Sequence, residues 1–140
     1  MSLLQAVRQP VQNAERWLKQ AGHDLRVART HYDGKFFSDC CFMSWQAAQK
    51  AINAFLIACG EQALIDYSVR ALVKQACGWD AAFQPLLEAA SILDQYFLPT
   101  RYPQFLAEPA VPCDSYTEKE AREAVAFAQQ ILDLVSRHVQ

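Results

Sequence analysis

The chain has 140 residues, 52 % hydrophobic and 20 % charged, the size and make-up of one domain with a real core rather than a disordered segment. A net charge of -2 excludes a surface built for general attraction to nucleic-acid backbone, and no basic amphipathic helix marks a membrane binder. With only 4 Gly and long Pro-free stretches rich in Ala, Leu and Gln, a β-sandwich or barrel is excluded and helices are favoured.

Residues 1–11 read as a frayed lead punctuated by Pro10, ahead of a single domain that fills the remainder of 1–140. Asn13 is placed to cap a first helix running to about His31, with Trp17, Ala21, Leu25 and Ala28 on its apolar stripe. The second helix is expected from about Phe37 to Cys59, capped by Ser38 or Asp39 and stopped by Gly60. Phe42, Trp45, Ala48, Ile52, Phe55 and Leu56 form its broad apolar face, and Ala47, Ala48, Ala51 and Ala54 let a neighbour approach closely. At 1.5 Å per residue this helix is roughly 35 Å long, the length of the domain.

A short third helix follows, capped by Asp66 or Ser68 and ending at Cys77 with Gly78 as its stop. Asp80 caps a fourth that ends near Phe97, with Pro85 bending its start or shifting it later. The segment 98–115 holds Pro99, Pro103, Pro109 and Pro112, a long loop of the kind that carries function or packs down. Thr117 and Glu120 then form a capping box for a last helix reaching about His138. The expected fold is all-α: an up-and-down bundle of four or five helices with a long Pro-rich loop before the last.

Five cysteines, an odd number without a Cys-x-x-Cys pair, read as small buried thiols in a reducing cytosol rather than disulfides or a zinc site. No secretory leader or membrane-spanning stretch is read from the sequence, so a cytoplasmic location is expected. Phosphate-binding glycine loops, the nucleophile-elbow motif and the zinc-helix motif are missing, and no metal or cofactor is expected. His23 and His31 lie two turns apart on the first helix, too far to share one metal without another helix between them. Arg16 to His23 and Arg26 to His31 match an arginine-spacer-histidine pattern, at the frequency that chance gives for this composition.

Two cations are singled out. Lys50 sits among Gln46, Gln49 and Asn53 on one helical grid, either a snorkelling helix edge or a polar site. Arg101 lies between Pro99 and Pro103, held on a stiff, extended loop. It either staples the loop to a carboxylate or free carbonyls of a neighbouring helix, or meets an anion at little entropic cost.

Four segments, in this order, resemble the HEPN family of helical domains, which are often found beside small nucleotidyltransferases. They are the run Arg16–Leu25, the stretch Trp45–Ala54 against the family's Gln-Gln-Ala-x-Glu-Lys-Ala-x-Lys-Ala motif, the Thr100-Arg101-Tyr102-Pro103 loop, and the Tyr116–Ala121 entry to the last helix. The resemblance implies a cytoplasmic homodimer that binds a nucleotide or a nucleotidyltransferase-like partner, in a toxin–antitoxin setting for some branches. It also implies that Arg101, Lys50, Tyr102, Gln46, Gln49 and Tyr67 are the ligand- or anion-binding residues. Some branches are ribonucleases with an arginine-spacer-histidine pattern on a late helix. Here Gln49 replaces the family's glutamate, Asn53 its second lysine and Tyr67 a histidine, and no histidine follows Arg101 at the ribonuclease spacing. Without a group that titrates near neutral pH, a non-catalytic binding domain is expected. An RNA-cleaving toxin and a purely structural helical adaptor are the alternatives.

Overall fold

Leu3–Asp33 forms a single helix, α1, in a computed structural model that describes residues 3–139, with side chains from residue 10 onward. The helix therefore starts well ahead of the expected cap, and Asn13 lies inside it. Pro10 is also internal, so the proline removes one donor without ending the helix, and the lead read into residues 1–11 is helical from Leu3. Met1 and Ser2 of that lead lie outside the described residues.

The linker 34–36 turns the chain into α2, Phe37–Ala58. Ser38 and Asp39 do not cap it: Phe36 is the N-cap and offers no side-chain oxygen, while Asp39 places its charge in the positively polarised first turn. Its C-terminus follows the expected glycine stop. Gly60 takes φ +93°, its N–H donates to the Ile57 carbonyl (2.9 Å), and Glu61 N–H donates back to Leu56 (2.9 Å).

The next helix, α3, spans Val69–Cys77, with Ser68 Oγ accepting from Ala71 N–H at 3.0 Å; Asp66 is not the cap and sits ahead of it at φ +54°. Gly78 ends α3 in the right-handed region, at φ -68°, rather than as a left-handed stop. Asp80 caps a 3₁₀ turn, Ala81–Leu86, through Ala82 N–H (2.8 Å), instead of a continuous fourth helix. Pro85 lies in that turn, lacks a donor and disfavours helical geometry at Gln84, so α4 is delayed to Leu87–Asp94 and ends before Phe97. The Pro-rich segment holds two further 3₁₀ turns, Pro103–Phe105 and Pro112–Asp114. The last helix, α5, spans Glu118–Val139 behind the expected capping box: Glu120 N–H donates to Thr117 Oγ1, and Thr117 N–H to Glu120 Oε1, both at 3.1 Å.

The architecture is all-α, with α2 central between α1 and α5. Tight turns make α1 and α2 antiparallel neighbours. Cys40 and Ala121 meet at the start of α2 and α5, and Phe55 and His138 at their ends, so these two helices run parallel. A parallel return needs a crossover, and α3, α4 and the Pro-rich loop fill it. The alanine face works as expected: Ala47, Ala48, Ala51 and Ala54 are fully buried, and Trp45, Ile52 and Leu56 complete the core.

Candidate functional site

The first polar cluster forms where α1 crosses α2. Asp24 is only 3 % exposed, and three side chains donate to it. Lys50 Nζ lies 2.6 Å and Gln46 Nε2 3.3 Å from Oδ2, while Gln20 Nε2 lies 3.0 Å from Oδ1. The Lys50 charge is therefore matched by a buried carboxylate, and the ion pair joins two helices. Gln49 and Asn53, on the neighbouring row of α2, do something else. Gln49 Nε2 donates to the Leu64 carbonyl at 2.6 Å; Asn53 accepts from Leu64 N–H (2.9 Å) and donates back to its carbonyl (3.1 Å). Both are buried, and they pin the loop after α2.

A second hub stands under the Pro-rich loop. Asp94, the last residue of α4, accepts from Trp45 Nε1 (3.0 Å) and Val69 N–H (2.7 Å) on one oxygen, and from Ser68 Oγ (2.7 Å) and Arg70 N–H (3.0 Å) on the other. It fixes the indole of Trp45, which stacks on Phe97 with ring centres 4.3 Å apart. Phe42 stacks on the same indole at 6.0 Å.

Arg101 rests on this aromatic layer. Its guanidinium carbon lies 4.1 Å from the Phe42 ring centre and 5.3 Å from those of Phe97 and Tyr102. Nε donates to the Phe97 carbonyl at 3.3 Å, so the expected staple goes to a carbonyl. No ion pair to it occurs among the described residues, where the two pairs are Lys50–Asp24 and His138–Asp80. Its backbone is turned rather than extended, with Arg101 and Tyr102 N–H both donating to Leu98 at 3.1 Å. The side chain borders an open cleft of about 410 Å³, which Ser38, Asp39, Thr100 and Cys113 also line. Cys113 is exposed there, unlike the buried Cys40 and Cys41, whose thiols burial pushes up, Cys40 to about 11.

Of the six residues singled out in the sequence, Arg101 and Tyr102 meet each other, and Gln46 and Lys50 meet at Asp24. Gln49 faces the pinned loop, and Tyr67 stands 47 % exposed ahead of α3. No lining residue of the Arg101 cleft is a histidine. The His31 ring sits edge-on to Phe36 (6.3 Å), His23 is exposed on α1, and His138 pairs with Asp80 (2.5 Å). Among the described residues no three His, Cys, Asp or Glu side chains gather as a metal site requires.

Sequence reasoning misses Asp24 and Asp94 as site-forming residues. Asp24 gives one signal, an acid between Ala21 and Leu25 on the apolar stripe. Asp94 gives another, a carboxylate at a helix C-terminus, where the dipole disfavours it.

The model of the HEPN domain family matches residues 14–138. In three dimensions the chain is similar to TT1696 from Thermus thermophilus, with 33 % identity and TM-score 0.76 over 89 % of this chain and 96 % of that one. It is equally similar to ST0689, described as an archaeal HEPN homologue, with 32 % identity and TM-score 0.74 over 91 % and 98 %. In sequence it is 24 % identical over 132 residues to the Methanocaldococcus jannaschii protein designated "Putative toxin MJ1304", covering 89 % of this chain and 87 % of that protein.

Proposed function

Because the chain belongs to the HEPN domain family, we propose that it is a non-catalytic helical binding domain that receives an anionic ligand, a nucleotide first among them, at Arg101. The observation that supports this reading is the state of the two cations. Lys50 has its charge met by Asp24, whereas the Arg101 guanidinium lies over the Phe42 ring beside a cleft, its terminal nitrogens without a partner among the described residues. A planar cation held on rings is pre-ordered for bidentate contact with phosphate oxygens, and Tyr102 supplies a flat face beside it. Lys50, Gln46 and Gln49 then act by positioning α2 and its loop rather than by touching the ligand. Association with a second copy, or with a nucleotidyltransferase-like partner in the cytoplasm, belongs to the same reading. Among the described residues no helix is long and apolar enough to cross a membrane.

Titration with ATP, GTP and their diphosphates, followed by amide NMR, tests the ligand. Saturable shifts around residues 97–103 are expected, weakened about tenfold or more by Arg101→Gln. Silence at millimolar nucleotide removes the ligand, and a monomer by sedimentation at high micromolar protein removes the self-association. The designation of the archaeal relative as a "Putative toxin" favours a second reading, that this chain is a toxin, with RNA cleavage as the activity to test. Pure protein that degrades RNA, and loses that activity in His23→Ala or His31→Ala, would establish it in place of the first.

A further inference from the structure

A second cleft, of about 270 Å³, lies between α1 and α5, lined by Arg29, Tyr32, Asp33, Arg122 and Val125. It shares no lining residue with the cleft at Arg101. Two guanidinium groups from different helices border it, and among the described residues neither is in an ion pair. Asp33 borders it too, outside ion-pair distance of both, so the cleft carries two cations against one carboxylate. The neighbouring acid Glu118 accepts from the Tyr32 hydroxyl at 3.1 Å.

Arg29 is placed rather than free. It donates to Gln129 Oε1, and Gln129 Nε2 donates in turn to Asp133 Oδ1 at 2.7 Å, which fixes the amide with its oxygen toward the arginine. Arg122 follows one turn into α5 without a hydrogen-bond partner among the described residues. Asp33 and Glu118 offset the two positive charges at a distance without pairing with either guanidinium, and guanidinium forks suit tetrahedral oxyanions. The volume is below the roughly 300–1,000 Å³ usual for whole small-molecule ligands. It admits a phosphate group with the rest of its carrier left outside, over Tyr32 and Val125.

We infer that the Arg29–Arg122 cleft is a second anion site, which takes the phosphate group of a small phosphate monoester. The inference stands independently of the Arg101 reading, and one experiment separates them. Inorganic phosphate is titrated at neutral pH while the Nε–Hε resonances of the arginines are followed by NMR, with phenyl phosphate as a second probe. Saturable shifts of Arg29 and Arg122 are expected, absent with chloride at matched ionic strength. Arg122→Gln should weaken binding at least about fivefold. Asp33→Asn should tighten it about threefold, because a like charge leaves the cleft. Arg101→Gln should leave the shifts of Arg29 and Arg122 and their affinity unchanged. Tighter binding of phenyl phosphate supports an ester as the natural occupant, and equal binding overturns that choice in favour of the free ion. The site itself is overturned if chloride reproduces the shifts, if they never saturate, if they survive Arg122→Gln, or if Arg101→Gln removes them.

Discussion

Lys50 and Arg101 carry the same charge, and what lies beneath each decides its role. Arg101 sits on Phe42, whereas the backbone of Lys50 lies eight residues, about 12 Å of axial rise, further along α2, and its ammonium reaches Asp24 on α1. Spacing in the sequence brings both cations into view but says nothing of counter-charges, which come from another helix. Asp24 is therefore invisible as a partner until α1 lies across α2. Replacing Lys50 by Met leaves the Asp24 carboxylate buried with amides alone. Stability should fall by about 2 kcal/mol, less than for a fully buried pair because the Lys50 side chain keeps 24 % exposure. Nucleotide affinity should stay within about twofold of the wild type, since a charge already paired has little to give a ligand. Urea denaturation and the NMR titration read the two effects separately. A large loss of affinity with unchanged stability would move Lys50 back into the binding site.

Helix ends show what local chemistry can and cannot announce. The Thr117–Glu120 box, the Ser68 cap and the Gly60 stop need only residues within a few positions, and all three form as the sequence implies. Pro10 and Asp80 mislead because their outcome depends on context: one is carried inside a long helix, the other caps a 3₁₀ turn that Pro85 keeps from becoming α4. Asp94 is the least legible. A carboxylate closing α4 reads as a misplaced charge until the start of α3 arrives to use it. Four donors converge on it, two of them the amides of Val69 and Arg70 at the opening of α3. Asp94→Ala leaves the nearly buried Trp45 indole without its acceptor and removes the anion at that helix start. The expected loss is about 2–3 kcal/mol by urea denaturation. Asp94→Asn keeps an acceptor and should cost less. Equal losses for the two substitutions would mean that shape rather than hydrogen bonding matters there.

Across the bundle, α2 and α5 form a parallel pair beside α1, the crossover between them must be held down at its far end, and His138 does this. Its Nδ1 faces the Leu134 carbonyl at 2.9 Å and its Nε2 faces Asp80 Oδ2 at 2.5 Å. Both nitrogens meet acceptors, so only the imidazolium can donate to both. The ring also packs on Phe55 and Phe83, joining α2, the 3₁₀ turn and α5. The Leu134 carbonyl first, then Asp80, raises the His138 pKa, while partial burial and Arg137 oppose the rise. The amide of Ala82 first, then His138, lowers that of Asp80. A histidine pKa higher in the folded state gives stability that is complete below the unfolded value, about 6.5, and is lost as pH climbs through the folded value. The depressed Asp80 works in the opposite sense: its share is present above the unfolded carboxylate value and disappears as pH falls through the folded one. The clasp is therefore strongest in mildly acidic solution. Melting temperatures taken from about pH 5.5 to about pH 8.5 should decline in the wild type, and His138→Gln and Asp80→Asn should each flatten that decline. Hydrogen exchange should show the 3₁₀ turn and the last turn of α5 opening together as the imidazole loses its proton. If both variants keep the wild-type slope, the ring holds the crossover through its contacts with Phe55 and Phe83, and its charge is incidental.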